Sequence, residues 1–236
     1  MGGLHVVIHL HDDEFMRQRD FYNPILHDPR ITIVGAGGIG SWVTVALSKL
    51  GVRHLRVIDP DKVEPHNLST TPYREQDIGV KKVHALRAIL DEMGRGMIPV
   101  VAWYKGAKLP RTDILISAVD SMAARRLLFK IAQEQKIPFY IDGRIGGENL
   151  RVYAIQPGQP KDRKLYRTTL VPDYRVAPLP CTGQQVMDVG LTIAGLITRA
   201  VRQWVAARQY NPEVIVKQDV LVMLVAEPII LKLERS

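Results

Sequence analysis

The sequence predicts an α/β fold: a doubly wound, mostly parallel sheet, extended by antiparallel strands toward the C-terminus. Three observations predict it. Short apolar runs alternate with helical apolar spacing along residues 31–142, a glycine-rich turn joins the first run to the first helix, and the tail reads as strands alone. In order, Ile31-Thr-Ile-Val34 reads as a buried strand, residues 39–50 as a helix and 54–59 as the next strand. Val83, Leu86, Ala88, Ile89, Leu90 and Met93 recur at helical spacing over 79–93. "MIPVVAWY" (97–104) and "DILISAV" (113–119) read as strands, 121–135 as a helix, and "PFYID" (138–142) as a further strand.

After Asp142 the texture changes. "NLRVYAIQP" (149–157) is strand-like, whereas 157–183 is rich in Pro, Gly and charge with weak periodicity. Residues 184–209 predict one long helix with Val186, Val189, Ile193, Leu196 and Ile197 on its apolar face. "VIVKQ" and "DVLVMLVAEPIILKLER" predict two or three short, antiparallel strands. We expect one domain over 1–236: an N-terminal arm over about 1–29, a nucleotide-binding core over about 30–145, a crossover loop over about 157–183, and a helix with strands over about 184–236.

The 236 residues suffice for one large α/β domain. No apolar run approaches the ~20 residues of a membrane helix. "MGGLHVVIHLHDDEF" lacks both a basic start and a cleavage pattern, so no secretion signal is expected. Cys181 is the single cysteine, which rules out internal disulfides and a multi-cysteine structural zinc site; a cytoplasmic setting fits best. Lys and Arg number 32 against 24 Asp and Glu, a net charge of +8. That excess suits an anionic nucleotide, nucleic acid or an acidic protein, although the basic residues are scattered and no RNA-binding motif occurs. His66 and His84 lack partners at metal-ligand spacing and are expected to be structural or superficial; Trp42, Trp103 and Trp204 are expected to pack cores or interfaces.

Gly35-Ala-Gly37-Gly38-Ile-Gly40 follows the first strand and opens the first helix. Glycines there allow a tight turn, close approach of backbone to a phosphate chain, and tight helix–strand packing, while the helix N-terminus offers free N–H groups to negative charge. Asp59 ends the second strand, where an acid commonly meets ribose hydroxyls. The pattern predicts a nucleotide pocket of Rossmann type without choosing between a redox dinucleotide and a nucleotide that is consumed.

Downstream residues choose. Asp59-x-Asp61-x-Val63, then Asn67-Leu68, then Asp77-Ile-Gly79-x-x-Lys82, resembles the adenylating domain shared by ubiquitin-activating enzymes and the bacterial ThiF and MoeB proteins. "ISAVDSMAARRLL" is similar to that family's Asp-x-x-x-x-Arg element, giving Asp120 and Arg125, and "FMRQRDFYNP" to its N-terminal Arg-Gln arm, giving Arg17 and Gln18. "IDGRIGGENLRVYAI" looks like its strand and turn after the nucleotide site, so the resemblance spans roughly 17–205. It implies adenylation by ATP of the C-terminal carboxylate of a small ubiquitin-like or sulfur-carrier protein, typically ending in Gly-Gly, by a homodimer. Activating a carboxylate requires charge compensation at the α-phosphate. Lys82, near a helix start, would reach the phosphates; Asp120, at a strand end, would hold Mg²⁺; Arg17 would reach across the dimer to the partner subunit's phosphates.

The sequence departs from the pattern where Asn-Leu is usually followed by x-Arg-Gln. Ser69-Thr70-Thr71 stands there, and Arg74 or Lys81 is the nearest replacement charge. Cys181, in "APLPCTGQQV", occupies a place comparable to the family's catalytic cysteine and would turn the acyl-adenylate into a thioester or related sulfur adduct; the alternative is a small buried hydrophobe. Three other functions compete: adenylation of a peptide or tRNA-linked carboxyl group, a catalytically decayed interaction subunit, and an NAD(P)-dependent oxidoreductase, for which no hydride-transfer site is evident.

Overall fold

The computed structural model describes residues 13–146, 149–172, 186–210 and 222–223. β1 (Ile31–Val34) is buried throughout and pairs in parallel with β2 (Leu55–Ile58) on one side and β4 (Ile114–Ser117) on the other. β3 (Ile98–Val100) lies in parallel outside β2, and β5 (Phe139–Gly146) in parallel outside β4. β6 (Asn149–Ile155) and β7 (Val222–Met223) continue the sheet antiparallel. Among the described residues the order is β3-β2-β1-β4-β5-β6-β7. The chain therefore turns one way from β1 to β2 and the other way to β4. At such a switch point the carboxyl ends of the strands leave a crevice for ligands.

Alternation along the strands supplies two cores. Ile31, Ile33, Leu55, Val57, Ile114, Ile116, Phe139 and Ile141 face α1 (Gly40–Leu50), α2 (Lys82–Glu92) and α5 (Met187–Tyr210). Val34, Ile58, Leu115, Tyr140, Tyr153 and Ile155 face α3 (Met122–Glu134) and α4 (Pro160–Thr168). α1 ends at Gly51, whose left-handed backbone (φ 99°) turns its N–H onto the carbonyls of Leu47 and Ser48. The long helix presents Val189, Ile193, Ile197, Val201 and Trp204 to the first core, with Trp204 stacked on Phe139 at 5.2 Å between ring centroids.

Three elements differ from the sequence expectation. β3 stops at Val100 instead of reaching Tyr104, because its pairing with β2 ends at Ile58 against Val100. β5 runs to Gly146 instead of ending at Asp142, because its second half pairs with β6 residue by residue as far as Gly146 against Asn149. The stretch expected as an irregular crossover loop contains α4, begun by Pro160 in the first turn. α4 buries only Tyr166 and leaves Leu165 exposed, so its two apolar neighbours face different ways and leave no periodic signal. Of the expected tail strands, Val222–Met223 is described and the rest lies outside the described residues. Among the described residues no helix is long and apolar enough to cross a membrane.

Candidate functional site

Register brings the site together. Val34, Ile58 and Ser117 are aligned across three parallel strands. The ladder continues one step beyond each: Gly35 donates to the Ile58 carbonyl (2.9 Å), Asp59 to Val100 (3.1 Å) and Ala118 to Val34 (2.8 Å). Gly35, Asp59 and Ala118–Asp120 consequently border one cleft of about 790 Å³, open mouth included. Gly37, Asp61, Lys82, Trp103, Tyr104 and Ser121 contribute to its polar and aromatic lining, and Val119 and Leu128 to its apolar walls.

The glycines divide by role. Gly35 has φ +100°, and any side chain there would run into the Ala118 carbonyl; one at Gly40 would run into the Gly35 carbonyl. These two let the loop fold flat onto β4. A Cβ at Gly37, by contrast, would meet nothing within 4 Å, and Gly37 lines the cleft. Gly38 is half-buried and, like Gly40, outside the lining. α1 starts without a side-chain cap; its Ser41 N–H donates to the Gly37 carbonyl (3.1 Å), which ties the helix start to the glycine loop.

Asp59 is buried, and both its oxygens hold backbone: Oδ2 accepts from Ala36 N (2.7 Å) and Oδ1 from Asp61 N (2.8 Å). It clamps the glycine loop to β2 while lining the cleft, which adds a structural role to the ribose contact expected of it. Tyr73 braces the same loop by donating to the Ala36 carbonyl (2.7 Å). Burial, then the Asp59 and Asp77 carboxylates, hold its phenol well above the ordinary range. Lys82 opens α2 with a side chain only 12% exposed, its Nζ 3.1 Å from Asp61 Oδ2. Among the lining residues it is the sole cation. Asp120 is exposed at the turn from β4 to α3; Ser121, not Asp120, caps α3 by accepting from Ala124 N (3.2 Å).

Arg125 holds this turn. Buried beneath it, the guanidinium donates to the Val119 carbonyl, to the Asp142 carboxylate and to the Gly143 carbonyl (2.9 Å). Asp142 also accepts from Arg144 (2.7 Å) and Tyr166 (2.9 Å), and Arg144 reaches Thr169 just beyond α4. Burial, the neighbouring Tyr140 and the Asp142 carboxylate raise the Tyr166 phenol far above its ordinary value.

Other expected residues lie elsewhere. Asn67 is outside the cleft lining, and its amide oxygen caps a short turn by accepting from Glu64 N (2.9 Å). Arg17 is exposed on the arm, and Gln18 ties that arm to the Leu50 carbonyl at the end of α1 (2.8 Å). Neither replacement charge faces the cleft: Arg74 is paired with Asp77 and Glu92, and Lys81 donates to the Pro60 carbonyl (2.6 Å). Cys181 lies outside the described residues. Of the expected core or interface packing of the tryptophans, the core half fails for Trp103, which is 71% exposed at the cleft. Among the described residues no three His, Cys, Asp or Glu side chains gather as a metal site.

The chain is 30% identical over 150 residues to the molybdopterin-synthase adenylyltransferase of Escherichia coli, covering 60% of each chain. It is 28% identical over 132 residues to the E. coli tRNA threonylcarbamoyladenosine dehydratase, covering 51% of this chain and 48% of that one. It thus spans about half to three-fifths of the length of these relatives. In fold it resembles E. coli MccB solved with AMPCPP and SeMet MccA (TM-score 0.66, 20% identity, 82% of this chain and 64% of that one). The ThiF family model matches residues 18–213. Most of the chain, from the arm through the long helix, therefore belongs to the ThiF family.

Proposed function

We propose that this chain adenylates a carboxylate with ATP, and that the carboxylate is the C-terminal Gly-Gly end of a small ubiquitin-like or sulfur-carrier protein. One observation carries the reading: Lys82, Asp120 and the glycine loop, at Gly35 and Gly37, line the same cleft. A carboxylate oxygen attacks the α-phosphorus, the bond from that phosphorus to the bridging oxygen breaks, and pyrophosphate leaves with the electron pair. Negative charge grows on the α-phosphate oxygens and on the leaving group. A fixed ammonium and helix N–H groups aimed at those atoms lower the barrier without reorganising.

Residues present fit ATP with Mg²⁺. Asp120 is exposed at the strand end and Asp61 is half-exposed beside Lys82, and a magnesium ion needs only one or two carboxylates when phosphates and water supply the rest. When bound it would supply charge neutralisation on the phosphates. With Thr70 in place of the usual arginine and Arg74 paired elsewhere, further positive charge in this reading comes from Arg17 of a second subunit in a homodimer. Cys181 would then take the acyl group as a thioester, expelling AMP. A cytoplasmic setting belongs to the same reading.

The test is exchange of labelled pyrophosphate into ATP, with Mg²⁺, with and without proteins ending in Gly-Gly. Carrier-dependent exchange is the expected result. Cys181→Ala should spare exchange and remove any thiol-labile adduct. Exchange with no carrier and no dependence on Lys82 would contradict the reading. A tRNA-linked carboxyl group is the second reading, favoured by the dehydratase relative and by α4, where Lys161, Arg163, Lys164 and Arg167 gather on nine residues. Exchange stimulated by tRNA instead of a carrier protein would select it.

A further inference from the structure

Among the described residues Trp103 is the most exposed of the large apolar side chains, at 71%, although it lines the cleft. The other two tryptophans are engaged: Trp42 donates to the Thr70 carbonyl (3.0 Å), and Trp204 is buried against Phe139. Trp103 is not on a frayed segment. It follows β3, and the next residue closes the loop, Tyr104 donating its hydroxyl proton to the Ala107 carbonyl at 2.5 Å, before the chain turns at Gly106 with φ +90°. An indole held in water by a structured loop leaves a flat apolar face without a partner among the described residues.

Its place in the cleft says what would cover it. Phosphates belong at the glycine loop and the α1 N-terminus, and a ribose beside Asp59 at the end of β2. Trp103 comes from the end of β3, the strand next to β2 on the side away from the glycine loop. A nucleotide laid from Gly37 across Asp59 brings its base to residues 102–104. We infer that Trp103 is the stacking platform for the purine of the nucleotide and supplies much of the affinity for the base. This rests on the ATP reading of the cleft. Indole–base stacking is tolerant of ring substituents, so Trp103 favours large purines over pyrimidines without separating adenine from guanine.

The test compares ATP with inorganic tripolyphosphate, which lacks the base, by calorimetry with Mg²⁺ on wild type, Trp103→Phe, Trp103→Ala and Lys82→Ala. Trp103→Ala should weaken ATP about 5- to 100-fold and leave tripolyphosphate unchanged, with Trp103→Phe intermediate. In exchange assays the KM for ATP should rise while kcat stays within about twofold, because the stack is made equally in ground and transition states. ATP should also shield wild-type tryptophan emission from iodide, and tripolyphosphate should not. Unchanged ATP affinity in Trp103→Ala overturns the inference and leaves the adenylation reading standing. Equal loss for both ligands also overturns it, since the residue would then act through loop structure. Failure of wild type to bind either ligand overturns both.

Discussion

Lys82 meets Asp61 twice: its backbone N–H donates to the Asp61 carbonyl (2.9 Å), and its Nζ stands 3.1 Å from the Asp61 carboxylate. The first contact fixes the start of α2 against the end of the β2 loop; the second points the ammonium along the cleft wall. On the proposed adenylation, a triphosphate entering the cleft would meet a cation already oriented beside it.

Removing that cation should cost catalysis and little else. Lys82→Ala is expected to lower ATP–pyrophosphate exchange by about 10²- to 10³-fold, the range for deleting one preorganised electrostatic group. Thermal unfolding should move little, because a single ion pair to a half-exposed aspartate contributes at most ~1 kcal/mol. Exchange at the wild-type rate in a folded Lys82→Ala protein would show that another group meets the phosphates.

The glycine loop predicts a split between folding and binding. Gly35→Ala places a side chain at φ +100° against the Ala118 carbonyl and should destabilise by more than ~1 kcal/mol. Gly37→Ala has open space and ordinary φ, so urea unfolding should match wild type within ~0.5 kcal/mol while ATP affinity falls. A stable Gly37→Ala protein that binds ATP normally would place the phosphates elsewhere.

Arg125→Ala leaves Asp142 buried with one guanidinium partner fewer and frees the carbonyl preceding Asp120. Breaking a buried ion pair on one side typically costs ~3–5 kcal/mol, so a large fall in urea midpoint is expected. Arg125→Lys keeps the charge without the planar fork that spans Val119, Asp142 and Gly143, and should recover only part of it. Full stability in Arg125→Ala would mean that Arg144 and Tyr166 alone satisfy Asp142.

His27, buried with Nε2 unpartnered among the described residues, is expected to make stability depend on pH. Burial lowers its pKa below the ordinary 6.5, against a smaller opposing hydrogen bond to the Leu26 backbone. In the window between the folded and unfolded values the unfolded chain binds more protons, so stability falls as pH drops through 6.5 toward the folded value. Urea midpoints at several pH values from 7.5 to 5 should show that slope in wild type and a shallower one in His27→Gln. Identical slopes would remove His27 from the account.

The parallel strands were legible as short, largely apolar runs: β1 and β4 are buried at every position, and the one polar residue in β1, Thr32, is satisfied by Thr112. The cleft's Gly35, Asp59 and Asp120 could be read because they closely follow strand ends, whereas Lys82, beyond the long 59–81 connection, was readable only through the family resemblance. Three things were not legible. α4 buries one side chain and leaves no pattern. Trp103 carries no motif, and its exposure depends on where the loop after β3 is tied. The second use of Asp59, as a clamp on Ala36 and Asp61, arises from backbone groups that every residue has.

A crystal structure with a non-hydrolysable ATP analogue and Mg²⁺ tests the central claim most directly. The triphosphate should run from the Gly37 backbone to Lys82, with Nζ within hydrogen-bonding distance of a phosphate oxygen and Asp120 on the metal side of the same phosphates. A nucleotide bound with its phosphates away from both side chains, and Lys82 still paired only with Asp61, would contradict it.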